Sequence, residues 1–260
     1  MTPAPEFDSF SSADDEGDSV REGAFGEAAG ADGAEVEAPR AHSGERALAS
    51  LNVAQQIADL VLHRLACGEE IRVLEITGPP GTGKTTVAQL VAEILEGAAE
   101  VEVAGIAPMD GFHLSNAVLD ELDRHDRKGA PDTFDVWGYA ALLARVQAGD
   151  REVLAPDYRR DLHEPVAASI LLPARGVVIT EGNYLGLDAP GWREARERID
   201  FLVHVDTAEE LVYRRLIARH EAFGRETAEA AHWVRTVDAP NIALVNESRG
   251  RADAIVSADL

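Results

Sequence analysis

The stretch Gly78-Pro79-Pro80-Gly81-Thr82-Gly83-Lys84-Thr85 decides the fold class of this 260-residue chain. It matches the pattern G-x-x-x-x-G-K-[ST] at every fixed position. Glycines let the backbone curl so that several N–H groups point at one anion, and a following helix adds the positive end of its dipole. The run 71–77 before the motif is rich in β-forming residues, and a helical apolar pattern follows the motif. This order of strand, loop and helix predicts a site for the phosphate groups of a nucleotide.

The chemistry of the loop predicts its cofactors. Lys84 supplies positive charge for the β- and γ-phosphates, and the Thr85 hydroxyl is a ligand for Mg²⁺. ATP is favoured over GTP because the chain contains no N-K-x-D motif for reading guanine. The motif alone does not distinguish a kinase from an ATPase or a GTPase. We assign the nucleotide contacts to Gly78, Gly81, Thr82, Gly83, Lys84, Thr85 and Thr86.

Strand candidates alternate with helical segments along the chain. The pattern predicts strands at 71–77, 101–107, 177–180, 201–205 and 254–256, and helices at 46–66, after the loop, and at 115–123, 139–148, 208–220 and 228–246. This alternation predicts an α/β fold of the P-loop NTPase type, with a parallel sheet of about five strands and helices on both faces. The region 125–175 contains several prolines and glycines. We expect it to be irregular, to lie over the sheet and to shape a substrate pocket.

The charge of the chain is concentrated near its N-terminus. Residues 1–45 contain twelve acidic side chains, opposed by Arg21 and Arg40, and show no apolar period. We predict that 1–45 is a disordered acidic tail and that 46–260 is the folded domain. The tail is either a solvating extension or a segment that inhibits the domain or binds a partner.

The overall composition limits which binding partners and which cellular compartment we expect for the protein. The net charge of −23 argues against nucleic acid and against an anionic membrane as partners. Cys67 is the only cysteine, and the chain shows neither a signal peptide nor a run of 18 apolar residues. These features predict a cytoplasmic protein.

Two acidic residues follow predicted strands. Asp110 comes after the second strand, and Glu181 comes after the apolar run Val177–Thr180. Ligands gather at the carboxyl ends of parallel strands, so Asp110 is a candidate base and Glu181 a candidate partner of Mg²⁺. The alternatives are that Asp110 caps the next helix and that Glu181 is a surface acid.

Four arginines cluster in an otherwise acidic protein. We interpret them as part of a lid that stabilises the charge of a transferred phosphoryl group. The alternative is ordinary ion pairing with Glu209, Glu210 and Glu221 on a helix surface. The four are Arg214, Arg215, Arg219 and Arg225.

Together these motifs resemble the pantothenate kinase, uridine kinase and phosphoribulokinase group of P-loop kinases. The chain is most similar to a bacterial branch labelled nucleoside/nucleotide kinase-like, some members of which carry a fructose transport system kinase label. The resemblance covers about residues 50–258. It rests on Asp110-Gly111-Phe112, on the run 127–135, on Ala155-Pro156-Asp157-Tyr158, on Glu181-Gly182 and on the 215–225 region.

The resemblance implies that the chain is an ATP-dependent kinase acting on a hydroxyl of a small molecule. It implies an acceptor that is a nucleoside, a pantothenate-like acid or a sugar, and it allows a homodimer. The roles it implies are a base for Asp110, a metal partner for Glu181, lid charges for Arg215 or Arg219, and substrate contacts for Asp135, Tyr158 and His163.

One segment departs from the family pattern. Uridine kinases carry Y-D-F where this chain has Tyr158 followed by Arg159, Arg160 and Asp161. The two arginines either bind an anionic substrate or form a solvated turn. A nucleotide-binding regulator and an NTP hydrolase with the same fold are the rival functions.

Overall fold

The computed structural model describes residues 40–98 and 101–258. The predicted acidic tail lies outside these ranges as far as residue 39. The first helix begins at Arg40, ahead of the predicted start at residue 46.

The described residues form eight α-helices and seven strands. None of these helices combines the length and the apolar character that crossing a bilayer requires. In chain order they are α1 (Arg40–Ala66), β1 (Val73–Thr77), α2 (Lys84–Gly97), β2 (Val103–Ile106), α3 (Asn116–Glu121), α4 (Val136–Ala148), β3 (Val153–Arg159), β4 (Glu164–Leu172), β5 (Val177–Gly182), α5 (Trp192–Arg196), β6 (Phe201–Asp206), α6 (Glu209–Ala222), α7 (Thr227–Trp233), α8 (Ala239–Ser248) and β7 (Ala254–Ser257).

Five of the strands form one parallel sheet in the order β2-β5-β1-β6-β7. All five residues of β1 are buried, as expected for the central strand of a sheet covered on both faces. The predicted α/β fold is therefore confirmed. Because the strands are parallel, the residues that follow β1, β2 and β5 meet at one edge of the sheet.

Each face of the sheet has its own apolar core. On one face, α1 and α2 pack against alternate strand residues such as Leu74 and Ile179. On the other face, α4, α5 and α8 contribute Leu143, Trp192 and Val245. Asp135 caps the start of helix α4, and Gly149, in the left-handed conformation, follows its last residue, so the helix boundaries follow ordinary capping chemistry.

The region expected to be irregular contains an antiparallel hairpin. Strands β3 and β4 pair over Val153–Arg159 and Glu164–Leu172, with a bulge between Ala155 and Asp157. The expectation of irregular structure was wrong here, because Pro156 and Pro165 are tolerated in a two-stranded hairpin whose outer edges need no partner. Val153, Ala155 and Leu172 anchor the hairpin in the core that α4 also fills.

The predicted helix at 228–246 is present in two parts. Helices α7 and α8 are joined by a π-helical segment at Val234–Asp238. Pro240 lies in the first turn of α8, where its missing N–H costs little.

A carboxyl group without a partner lies in the central strand. Glu75 of β1 is fully buried, and neither of its carboxylate oxygens has a hydrogen-bond partner within the described ranges. Burial raises the pKa of Glu75 well above its usual value, and the charge of Arg196 only partly offsets this. The carboxyl group is therefore protonated in the folded protein, since an ionised one would be uncompensated.

This protonation predicts a specific effect of pH on stability. The folded state holds a proton on Glu75 that the unfolded state releases above about pH 4.5. The free energy of unfolding therefore falls as pH rises above that value. The fall is up to about 1.4 kcal/mol per pH unit and continues until the pH reaches the folded-state pKa of Glu75. Glu75→Gln removes this slope. The free energy of unfolding, measured by urea denaturation between pH 5 and pH 8, is the readout, and Glu93→Gln on the exposed side of α2 is the control. Equal slopes in Glu75→Gln and the wild type would show that Glu75 is ionised in the folded state.

Candidate active site

The phosphate loop connects β1 to α2. Gly78, Gly81 and Gly83 all have positive φ angles, which lets the loop curl around a central space. The Thr82 hydroxyl donates to the Pro79 carbonyl at 3.0 Å and holds this curl from inside. Thr86 lies in the first turn of α2 and is exposed.

Lys84 is buried at the start of α2, with 6% of its surface exposed. Its Nζ donates to the Pro79 carbonyl at 2.9 Å. Burial lowers the pKa of Lys84 to about 8, and the nearby charges of Glu181 and Asp110 counteract this. A buried ammonium group whose direct partner is a neutral carbonyl is suited to accept an anion.

A hydroxyl and a carboxylate meet at the ends of α2 and β5. The Thr85 hydroxyl donates to Glu181 Oε1 at 2.9 Å. Glu181 is 5% exposed, so the alternative of a surface acid is wrong. Burial and the charge of Asp110 raise the pKa of Glu181, whereas Lys84 and the Thr85 hydrogen bond lower it.

Asp110 lies in a 3₁₀ turn, Met109–Phe112, just beyond β2. Its charge acts on both Lys84 and Glu181, so the three groups form one electrostatic cluster. Within the described part of the chain, its carboxylate has no hydrogen-bond partner. The alternative of a helix cap is wrong, because Ser115 caps α3 by accepting a hydrogen bond from Val118 N.

Two glycines allow close contacts that fix the position of the turn Met109–Phe112. A Cβ on Gly111 would lie 2.4 Å from the Pro156 carbonyl oxygen, and one on Gly182 would lie 2.6 Å from Met109 Cβ. Real Cβ atoms do not come so close to other atoms, so only glycine fits at either position. The first glycine seats the turn on β3, and the second seats it on the end of β5 beside Glu181.

His113 lies beside Asp110, although no motif in the sequence pointed to it. Its Nδ1 donates to the Asp110 carbonyl at 2.8 Å. Its ring lies between Phe134 and Tyr158, with centroid distances of 4.1 Å and 4.8 Å. Burial lowers the pKa of His113, so the ring is neutral in its packed position. Its place directly after Asp110-Gly111-Phe112 was the only signal in the sequence.

The three predicted substrate residues have different surroundings. Tyr158 is half-buried against His113 and therefore lies beside the Asp110 turn. The carboxylate of Asp135 accepts from Gly138 N at 2.8 Å and caps α4. The side chain of His163 is exposed, while its carbonyl accepts from Lys128 Nζ at 2.7 Å. A substrate contact by any of the three stays a prediction.

The predicted lid arginines divide into two kinds. Arg215 in α6 donates to the carbonyls of Gly81 and Thr82 at 3.4 and 3.3 Å, so it touches the phosphate loop directly. Arg219 is exposed one turn further along α6, and its charge acts on Lys84. Arg225 instead stacks over Trp233, with its guanidinium carbon 3.8 Å from the ring centroid, and its lid role stays a prediction.

The donor set at this edge suits magnesium. Mg²⁺ usually takes one or two protein oxygen ligands and completes its shell with water and phosphate oxygens. The paired oxygens of Thr85 and Glu181 fit this description. Across residues 40–98 and 101–258, no group of three or more His, Cys, Asp or Glu side chains forms a closed metal site.

Comparison with known proteins places these features in a family. Residues 73–258 match the family described as "Phosphoribulokinase / Uridine kinase family". The chain is 36% identical over 203 residues to "Uncharacterized protein YggC" of Escherichia coli, covering 75% of this chain and 84% of that one. It is 30% identical over 195 residues to "Putative uridine kinase C227.14" of Schizosaccharomyces pombe, covering 71% and 82%.

A solved structure shares the fold. It is described as a "putative fructose transport system kinase" from Silicibacter sp. TM1040, with a TM-score of 0.71 and 30% identity. The match covers 78% of this chain and 98% of that chain.

Proposed function

The chain belongs to the phosphoribulokinase and uridine kinase family of P-loop kinases, and we propose that it transfers the γ-phosphoryl group of ATP to a hydroxyl group of a small molecule. The acceptor classes we consider are a nucleoside, a pantothenate-like acid and a sugar.

The observation that carries this proposal is the meeting of three groups at one edge of the sheet. Lys84 follows β1, Glu181 is the penultimate residue of β5, and Asp110 follows β2; the charge of Asp110 acts on both Lys84 and Glu181, and these two act on each other. Phosphoryl transfer to an alcohol needs a cation for the phosphates, a carboxylate and a hydroxyl for the metal, and a carboxylate that is free to take a proton. Lys84, the pair Glu181 and Thr85, and Asp110 would supply these parts in that order.

The phosphate loop would hold the nucleotide. Lys84 neutralises the β- and γ-phosphate oxygens, and Arg215 braces the carbonyls of Gly81 and Thr82 from the outside. Thr85 and Glu181 would hold Mg²⁺, which neutralises charge on the phosphate oxygens when it is bound.

Asp110 would act on the acceptor. The acceptor oxygen forms a bond to the γ-phosphorus, the bond from that phosphorus to the ADP oxygen breaks, and the hydroxyl proton passes to the Asp110 carboxylate. The carboxylate is available for this proton because the described residues offer it no hydrogen bond. Arg219 would stabilise the charge of the phosphoryl group in transfer and help to exclude water.

The test is ADP release from Mg-ATP with and without acceptors. The panel contains uridine, cytidine, pantothenate, fructose, ribose and ribulose 5-phosphate. We expect one acceptor class to raise ADP release well above the rate with ATP alone. A high rate without acceptor would identify a hydrolase instead, and tight ATP binding with no turnover on any acceptor would identify a nucleotide-binding regulator.

A further inference from the structure

The turn between β3 and β4 lies beside the proposed site of transfer. Gly111 in the Asp110 turn approaches Pro156 of β3 too closely for any side chain. Two residues further along the same strand, the Tyr158 ring packs 4.8 Å from His113. The hairpin therefore forms one wall of the space in which an acceptor hydroxyl would approach Asp110.

Two consecutive arginines begin this turn, and their surroundings differ. Arg159 donates through Nε and Nη2 to the two carboxylate oxygens of Asp161, at 2.9 and 2.7 Å. Arg160 is exposed and forms no hydrogen bond or ion pair with any residue in the described ranges. The charge of Arg159 is thus compensated within the turn, and that of Arg160 is not.

The positive charge of Arg160 acts inward on the site. It lowers the pKa of Tyr158, against the larger effect of burial, and the Tyr158 ring packs against His113 beside the Asp110 turn. Arg219 from α6 acts on Tyr158 in the same direction. The positive charges of Arg160, from the hairpin turn, and of Arg219, from α6, therefore both act on the space next to Tyr158.

Among the described residues, no carboxylate forms an ion pair with Arg160, and Asp110, whose charge also acts on Tyr158, is the base of the proposed transfer. Glu181 is engaged by the Thr85 hydroxyl at 2.9 Å, and Glu164 accepts from Asn116 N at 2.9 Å. An arginine fork without a partner matches the planar oxygens of a carboxylate or the oxygens of a phosphate. A neutral nucleoside or a free sugar would leave this charge uncompensated.

We propose that the acceptor carries an anionic group, a carboxylate or a phosphate, and that Arg160 binds it. This inference rests on the proposed kinase function and narrows its acceptor class. Arg160 is a specificity-determining residue, because it selects the acceptor and takes no part in the bonds that form and break. The phosphate loop, braced by Arg215, holds the nucleotide.

Matched acceptor pairs that differ in one anionic group test this proposal. The pairs are D-glycerate and glycerol, pantothenate and panthenol, and ribulose 5-phosphate and ribulose. Binding is measured by calorimetry on the full chain loaded with a non-hydrolysable ATP analogue and Mg²⁺, and ADP release is measured in parallel with ATP. The proteins are the wild type, Arg160→Gln and, as the matched control, Arg159→Gln.

We expect at least one anionic member to bind more tightly than its neutral partner. Arg160→Gln should weaken that binding by about 10- to 100-fold, the loss typical of a charged hydrogen-bond partner, without changing the KM for ATP. Arg159→Gln should bind the anion as the wild type does. The proposal is overturned if no anionic member binds, if neutral members bind equally well, or if Arg160→Gln retains the preference.

The same data separate this inference from the proposed function. Phosphorylation of a neutral acceptor by the wild type would support the kinase function and refute the proposal that the acceptor is anionic. Anion binding that depends on Arg160, without ADP release in the presence of any acceptor, would support the anion site and refute the kinase function.

Discussion

Asp110→Asn is expected to lower kcat by about 10²- to 10⁴-fold, the usual contribution of a positioned general base. Asparagine keeps the shape of the side chain and can still accept a hydrogen bond from the acceptor, but it cannot take the proton. Because the Asp110 carboxylate forms no hydrogen bond with the phosphate loop among the described residues, the KM for ATP should stay within about threefold of the wild-type value. Steady-state ADP release with the best acceptor is the measurement.

A matched control for this substitution lies on the same connection. Asp126 has 83% of its side chain exposed and, among the described residues, forms a single long ion pair, with Arg127, so Asp126→Asn should retain wild-type kcat. Near-normal turnover in Asp110→Asn would remove the general base from the mechanism and leave the carboxylate a purely electrostatic role.

Lys84→Ala is expected to lower kcat/KM for ATP by about 10³-fold or more, since removal of one preorganised donor to a developing charge alone costs about 10²- to 10³-fold. Lys84 is buried at the end of the phosphate loop, where under the proposed function its ammonium group would replace water around the phosphates. The readouts are ADP release and the affinity for an ATP analogue.

The stability of Lys84→Ala separates loss of function from loss of folding. Burial has already lowered the pKa of Lys84 to about 8, so the fold gains little from this charge. We expect a Tm within about 4 °C of the wild type, the shift that corresponds to about 1 kcal/mol in a domain of this size. Gln89→Ala, at an exposed position of α2, is the control for a helix substitution. Unchanged ATP affinity in Lys84→Ala would place the nucleotide elsewhere.

The local chemistry of the chain was sufficient to predict the fold class. A phosphate loop between a β-rich run and a helical run, followed by alternating strands and helices, predicted the five-stranded parallel sheet that the structure shows. Asp110 and Glu181 were found for the same reason, because residues that follow parallel strands meet at one edge. Each of these inferences needs only neighbouring residues and one topological rule.

The hairpin β3–β4 could not be predicted in the same way. Its strands have weak alternation and contain prolines, so its pairing depends on Val153, Ala155 and Leu172 reaching a core that α4 completes from elsewhere in the chain. The same dependence hid His113, whose ring packs between Phe134 and Tyr158, two residues that are distant from it in the chain.

The sequence by itself determined the parallel α/β sheet, the phosphate loop and the two carboxylates at the strand ends, because short motifs and periodicity specify them. Only the tertiary structure decided which of two adjacent arginines is paired. Asp161 neutralises Arg159, whereas the path of the hairpin brings the charge of Arg160 to bear on Glu181, which lies 21 residues away in the chain. Charge compensation depends on distances in space, and those are fixed only when the hairpin, the Asp110 turn and the sheet pack together.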